Sequence, residues 1–315
     1  MKVIKLTLLV CVMWTGCKVY SVDNISTFSI PEKVNFGGQE VVLDRYDLRE
    51  RYDREQMNIG YSHSSSLLII KRANKYFPII EPILKANGVP DDFKYLAVVE
   101  SNLDPRALSP VQAAGFWQLM PKTAQEFGLE VNDEVDERYH LEKSTVAACK
   151  YLKRAYTKYN DWLTVAASYN GGMGRISGEI DKQKVGTFFD MLLTAETSRY
   201  VFRILAMKQF LENPSAWGYQ LSKNDFYTAI GTDKVKVNEP VSDWADWGIA
   251  HGITYFQLKD FNIWLRGRNL TNKNKEEYFL DLPKKNELKF DSTRIKIHNP
   301  NWVKEKTNVY PSAIQ

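Results

Sequence analysis

The sequence predicts a mainly α chain that continues into a small β-α-α-β module, and three observations carry that expectation. Apolar residues recur at helix spacing through most of residues 49–218, the same stretch holds no strand-like alternation, and after residue 233 two short alternating runs flank two helix-sized segments. At 315 residues the chain is long enough for two modest domains.

At the N-terminus, Lys2 and Lys5 precede an apolar run from Leu6 to Trp14, too short to span a bilayer and suited to the core of an export signal. The run closes on Trp14-Thr15-Gly16-Cys17. A small residue before a cysteine here resembles a bacterial lipobox, which would remove residues 1–16 and make Cys17 the acylated first residue. Trp14 departs from the aliphatic residue usual at its place. The alternative is plain cleavage after Ser21, in Val19-Tyr20-Ser21, with Lys18 awkwardly inside the cleavage region. Of three cysteines, Cys11 and Cys17 belong to this segment, so Cys149 is left without a disulfide partner. It shares an apolar stripe with Val146, Leu152 and Tyr156, as a packed structural thiol does.

Residues 17–48 read as an extended arm, mixing Gly-Gly, proline and short apolar stretches. Helical character begins at Arg49. Leu67, Leu68, Ile70, Ala73, Tyr76 and Phe77 predict one helix, and Pro78 to Ala86 a second, short one ended by Asn87-Gly88-Val89-Pro90. Asp91 or Asp92 can cap the next helix, whose Phe93, Leu96, Ala97 and Glu100 share a face, and Asp104-Pro105 stops it near Ser101. Pro121 suits a first helical position and Gly128 an end. Further helices are expected over 142–159, over 162–169 before Gly171-Gly172, and over 196–211 before Asn213-Pro214. Residues 219–232 read as a polar linker. The 233–283 module has strands around Val235-Lys236-Val237 and Tyr278–Pro283, with helices over 242–250 and 255–262 parted by His251-Gly252. The polar tail, 284–315, receives no fold.

Composition is ordinary for a globular protein, with 44% hydrophobic and 25% charged residues, and a net charge of +4 is too small to argue for nucleic acid. The histidines His63, His140, His251 and His298 are scattered without metal-ligand spacing, so neither metal nor cofactor is expected. Asp133, Glu134 and Asp136 lack the calcium-loop pattern and read as a solvated loop.

One carboxyl group stands out. Tyr95-Leu96-Ala97-Val98-Val99-Glu100 sets Glu100 at the end of an apolar helix, where the negative helix end and apolar neighbours both raise a carboxyl pKa. A proton held near neutral pH is what a general acid needs. Around it run Glu100-Ser101-Asn102-Leu103-Asp104-Pro105, Ser109-Pro110, Ala114-Gly115-Phe116-Trp117-Gln118-Leu119-Met120-Pro121, Ala167-Ser168-Tyr169-Asn170-Gly171-Gly172 and Glu196-Thr197-Ser198-Arg199-Tyr200. This ordered set resembles the soluble-type (SLT) lytic transglycosylase domain, and closely the membrane-bound lytic transglycosylase D subgroup, over about 90–215.

The resemblance implies a lysozyme-like helical fold in which Glu100 is the sole acid/base. It also implies that Ser109 steers the N-acetyl group and that Gln118 and Met120 line the cleft floor. Tyr169 and Asn170 match the sugar-contacting pair, Tyr200 the tyrosine facing the acid, and Ser101 joins the substrate-binding set. Phe116-Trp117 replaces a smaller pair seen in many members, and Ser168 stands where Ala is usual. The implied reaction cuts the MurNAc-GlcNAc β-1,4 bond of peptidoglycan without water, closing a 1,6-anhydro ring, so a second carboxylate is unnecessary. Residues 233–283 resemble a divergent LysM module in Val235-Lys236-Val237, the 246–250 helix before Gly252, Leu258, Asn262, Leu270 and Tyr278–Pro283, although Glu239-Pro240-Val241-Ser242 replaces the usual first turn. The expected partners are peptidoglycan strands and a membrane reached through the Cys17 lipid, on the periplasmic side of the bacterial envelope. Two other readings stay open: a hydrolytic muramidase using Asp104 or Glu126 as second carboxylate, and a non-catalytic peptidoglycan-binding lipoprotein.

Overall fold

The computed structural model describes residues 27–303; Cys17 and the export segment lie outside the described residues. Where an extended arm was expected, the chain forms a hairpin of β1 (Lys33–Phe36) and β2 (Gln39–Val42), in the register Lys33↔Val42 and Phe36↔Gln39. The Gly37-Gly38 turn has positive φ at both residues, the geometry of a tight two-residue hairpin. Alternation then buries Val34, Phe36, Val41 and, just beyond β2, Leu43 against the helices. Gly37 also has no room for a side chain, since a Cβ there would lie 2.9 Å from Trp162.

The helical body follows as α1 (Tyr46–Tyr61), α2 (His63–Ala86), α3 (Phe93–Ser101), α4 (Pro121–Glu126), α5 (Leu141–Tyr159), α6 (Trp162–Gly171), α7 (Met173–Gln183) and α8 (Ala195–Glu212). The expected break at Pro78 is absent. Pro78 and Pro82 stand one turn apart on the exposed face of α2, and the helix runs through both. Asp92 precedes α3 without capping it, because its carboxylate accepts from Gly37 N (2.7 Å) and Lys208 Nζ (2.5 Å) instead. Helix α7 has little apolar content, burying Ile176 alone. Helix α8 is the hub, packed against α1, α3 and α6 with Tyr200, Phe202, Leu205 and Phe210 buried. Cys149 is fully buried on α5, and burial pushes its thiol up to about 12.

Strand β3 (Thr232–Val237) pairs antiparallel with β4 (Tyr278–Pro283), and α9 (Trp244–Ala250) and α10 (Tyr255–Phe261) lie between them. Asn262, fully buried, ties the module: it donates to Leu258 O (3.0 Å) and Asp281 O (2.9 Å) and accepts from Asp281 N (2.8 Å). The module's core around Trp244, Leu258 and Leu280 extends to Ala114, Val135 and Tyr139 of the helical body. The acidic loop is accordingly a docking edge and not a solvated one. Asp136 N donates to Trp264 O (2.8 Å), Arg266 N to Glu134 O (2.8 Å), and the Glu134 carboxylate accepts from Thr271 N (2.8 Å).

The segments on either side of the module also have fixed places. Tyr219, Leu221 and Phe226 before it, with Ile295 and Trp302 after it, are buried in the core of the helical body. Trp302 Nε1 donates to Leu211 O (2.5 Å), and Asn74 Nδ2 to Tyr227 O and Lys296 O (2.9 Å each). Among the described residues no helix is long and apolar enough to cross a membrane.

Candidate active site

Helix α3 delivers the site. Its apolar residues Phe93, Leu96, Ala97 and Val98 are buried, which fixes the direction of the last turn, where Glu100 stands partly buried. The helix stops because Asn102 and Leu103 both take positive φ, and Asn102 N closes on Val98 O (2.7 Å).

Opposite Glu100, Tyr200 on α8 is buried and its hydroxyl donates to Glu100 Oε1. The Glu100 carboxyl is pushed up to about 7, chiefly because burial disfavours its charge. Against that rise act the Tyr200 hydrogen bond and the positive charge of Arg203, while Glu196 adds to it. Tyr169 and Tyr200 are both held well above the ordinary phenol range, first by burial and next by the nearby Glu100 charge, so both remain neutral donors. Tyr169 belongs beside Glu100, but its hydroxyl donates to Trp117 O (2.8 Å) and its ring packs edge-on against Tyr151. Its side chain is half-buried.

The stretch from Leu108 to Met120 forms the other wall. Ser109 Oγ accepts from Ala113 N (3.0 Å) and Ser109 N donates to Ala113 O (2.8 Å), closing a turn. Gln118 sits at positive φ and its amide donates to Gly115 O (2.9 Å). Met120 is exposed at the start of α4. Asn170, exposed at the end of α6, accepts from Thr197 Oγ1 (2.9 Å). Ser101 differs from the rest of the expected set: it is buried, its hydroxyl within reach of Phe116 O (2.9 Å) and Ala97 O (3.1 Å). It ties the end of α3 to the 113–121 loop.

Arg138 and Glu55, which no sequence signal marked, hold this part of the structure in place together with Gly115 and Trp117 of the motif. Buried Arg138 forks onto Asp136 and donates to Gln112 O (2.6 Å) and Leu119 O (3.1 Å). Its own carbonyl sits where a Cβ on Gly115 would be, 2.0 Å away, so Gly115 is obligatory. Trp117, fully buried, donates its indole N–H to Thr145 Oγ1 (2.9 Å). Glu55 on α1, also buried, receives Arg199 (2.6 Å) and Arg203 (3.3 Å) and so fixes the cation that faces Glu100.

The other candidate carboxylates each have an arginine partner. Asp104 pairs with Arg72 (2.9 Å), Glu126 with Arg154, and Glu196 with Arg203 (3.4 Å).

Residues 77–189 match the transglycosylase SLT domain, and residues 233–286 match the soluble lytic transglycosylase C-terminal LysM-like domain. Over 228 residues, 71% of this chain and 49% of the relative, the chain is 32% identical to the membrane-bound lytic murein transglycosylase D of Escherichia coli strain K12. It is 29% identical over 127 residues, 36% of this chain and 24% of the relative, to the membrane-bound lytic murein transglycosylase F of Saccharophagus degradans. Among solved structures, the 70 kDa soluble lytic transglycosylase of Escherichia coli matches 44% of this chain and 24% of its own at 23% identity and a TM-score of 0.39. The chain spans about half the length of the curated transglycosylase D relatives it matches.

Proposed function

We propose that this chain, which carries a transglycosylase SLT domain followed by a LysM-like domain, is a peptidoglycan lytic transglycosylase with Glu100 as its only acid/base. The observation that carries the reading is a single carboxyl, pushed up to about 7 and held by the Tyr200 phenol, while Asp104, Glu126 and Glu196 are committed to arginines. Paired-carboxylate glycosidases need two free groups flanking the bond, which disfavours hydrolysis here.

In the proposed reaction, protonated Glu100 gives its proton to the oxygen linking MurNAc to GlcNAc, and the C1–O bond breaks. The neighbouring acetamido group stabilises the positive centre at C1. Glu100, now a carboxylate helped by the Tyr200 hydrogen bond, takes the proton of the same sugar's C6 hydroxyl. That oxygen bonds to C1, and a 1,6-anhydro end results with no water consumed. Ser109, Gln118, Met120, Tyr169 and Asn170 line the sugar path, and Ser101 acts through its hold on Phe116.

The LysM-like module would keep the substrate near Glu100 by gripping N-acetylglucosamine units, its exposed Tyr255 and Phe256 rings supplying flat faces. The gain is effective concentration. Acylation of Cys17 would add a lipid anchor in the bacterial envelope, and intact-mass analysis of wild type against Cys17→Ser tests it.

Digestion of purified sacculi, read by mass spectrometry, tests the reaction. Wild type should release anhydro-muropeptides and folded Glu100→Gln should not, since proton transfer typically contributes ~10²–10⁴-fold. Products heavier by one water would indicate hydrolysis instead.

A further inference from the structure

A groove of about 840 Å³ lies away from the Glu100–Tyr200 pair, between one face of α2, the Asp104-Pro105-Arg106 turn and the chain segments on either side of the module. Its walls bring together Lys71, Lys75, Tyr76, Tyr227 and Phe290. Every acid in those walls is already engaged. Asp104 pairs with Arg72 (2.9 Å), Asp225 accepts from Ser222 N (2.7 Å), Glu287 from Gly231 N (2.7 Å), and Asp291 pairs with Arg294 (3.4 Å).

The two lysines are different. They stand one turn apart on α2, about 6 Å from each other by helix geometry, and both are half-buried. Neither has an ion pair or hydrogen bond among the described residues. Lys71 Nζ lies 5.6 Å over the Tyr227 ring and Lys75 Nζ 5.2 Å over the Tyr76 ring, contacts that hold an ammonium without neutralising it. Burial moves Lys75 below the ordinary lysine range, and Asp260, whose charge acts against that shift, is bound to Arg106 (2.7 Å). A partly desolvated cation facing a cavity, with a second cation one turn away, is costly unless an anion completes the site.

We propose that this groove is a second binding site, which takes the carboxylate-bearing peptide side chains of the polymer through Lys71 and Lys75. Its volume suits a short peptide, since ligand pockets run from about 300 to 1,000 Å³. The rings of Tyr76, Tyr227 and the exposed Phe290 cover the apolar parts of such a ligand. Position favours the same occupant. Arg72, at the groove's edge, donates to Asn102 O (3.1 Å), just beyond the helix end that carries Glu100. The Asp104-Pro105-Arg106 turn that walls the groove therefore follows directly on the end of α3.

The inference rests on the proposed substrate class, so its test reads binding and not turnover. A free acidic stem tetrapeptide and a peptide-free glycan oligomer are titrated separately by calorimetry against wild type and Lys71→Met/Lys75→Met. The tetrapeptide should bind wild type, weaken at least tenfold in the double variant and recover in Lys71→Arg/Lys75→Arg, while glycan affinity and cleavage of peptide-free glycan stay unchanged. No tetrapeptide binding by wild type, or equal binding by the Met variant, overturns the proposal. A loss confined to the peptide-free glycan overturns it too, since the groove would then read sugar. Failure to form anhydro products would leave these affinities untouched and would strike the proposed reaction alone.

Discussion

The Tyr200 hydroxyl, on the second turn of α8, donates to Glu100 Oε1 on the last turn of α3, so two helices fix one proton between them. This bond favours the carboxylate and opposes the dominant effect of burial. In Tyr200→Phe this part of the opposition disappears, Arg203 alone remaining, and the Glu100 pKa should climb further above about 7. The alkaline limb of kcat/KM on soluble glycan should move to higher pH, together with the titration of Glu100 followed by carboxyl carbon NMR. A Tyr200 that only filled space would lower activity without moving either curve.

Glu100 also links stability to pH. Its folded pKa of about 7 stands above the ordinary 4.5, so the native state holds this proton more tightly than the unfolded chain does. That contribution is complete below about pH 4.5 and is lost as pH rises through 7. Glu100→Gln is neutral throughout. It should therefore be more stable than wild type at pH 8, by at most about 3.5 kcal/mol given roughly 1.4 kcal/mol per pKa unit, and the gap should close toward pH 4. Urea denaturation at the two pH values checks this, and a pH-independent gap would contradict it.

Gly115 makes a sharper structural demand. With φ at +75° and the Arg138 carbonyl 2.0 Å from any Cβ, Gly115→Ala must displace backbone. The change should cost about 2–4 kcal/mol, in the range of an overpacked or strained site. It should also shift the loop that carries Gln118 and Met120, so activity on glycan should fall more than tenfold. Near-wild-type stability would mean that the helical turn carrying Arg138 gives way easily.

Local signals made the helices and Glu100 legible. Pro121, the Gly171-Gly172 end and the Asp104-Pro105 stop each act within a few residues of where they are read. The site's tie from Glu100 to Tyr200 came from ordered motifs and not from spacing, since nothing local relates residues a hundred positions apart. Missed features fall into three kinds. The hairpin at 33–42 was written in the Gly37-Gly38 turn and the alternation of Val34, Phe36 and Val41, but its shortness let it pass as an arm. Arg138 and Glu55 were not legible, because the Gln112 and Leu119 carbonyls and the Arg199 and Arg203 cations that give them their roles come together only on folding. Trp302 and Ile295 were hidden in a polar tail whose average character masks two anchors.

Those anchors change how the module can be removed. A chain ending at Gln220 would lose Leu221, Phe226, Ile295 and Trp302 from the core of the helical body. Each large buried apolar side chain is worth about 1.5–3 kcal/mol, and four together rival a typical whole-domain stability of about 5–15 kcal/mol. That truncation should fail to fold cooperatively. Excision is different, because Thr232 pairs with Pro283 and Lys284 N donates to Gly231 O (2.9 Å), so the module leaves and re-enters at one point. Deleting residues 233–283 and joining the ends through a short Gly-Ser link should preserve the helical body. It exposes Val135 and Tyr139 and removes the Asp136 N to Trp264 O bond, so some stability should be lost. If the module grips sugar, the excised protein should cleave short soluble glycans at an unchanged rate yet pellet less with insoluble sacculi. Equal pelleting would leave the module a packing role only, and an excised protein as unstable as the truncation would show that the docking edge, not the tail, holds the body together.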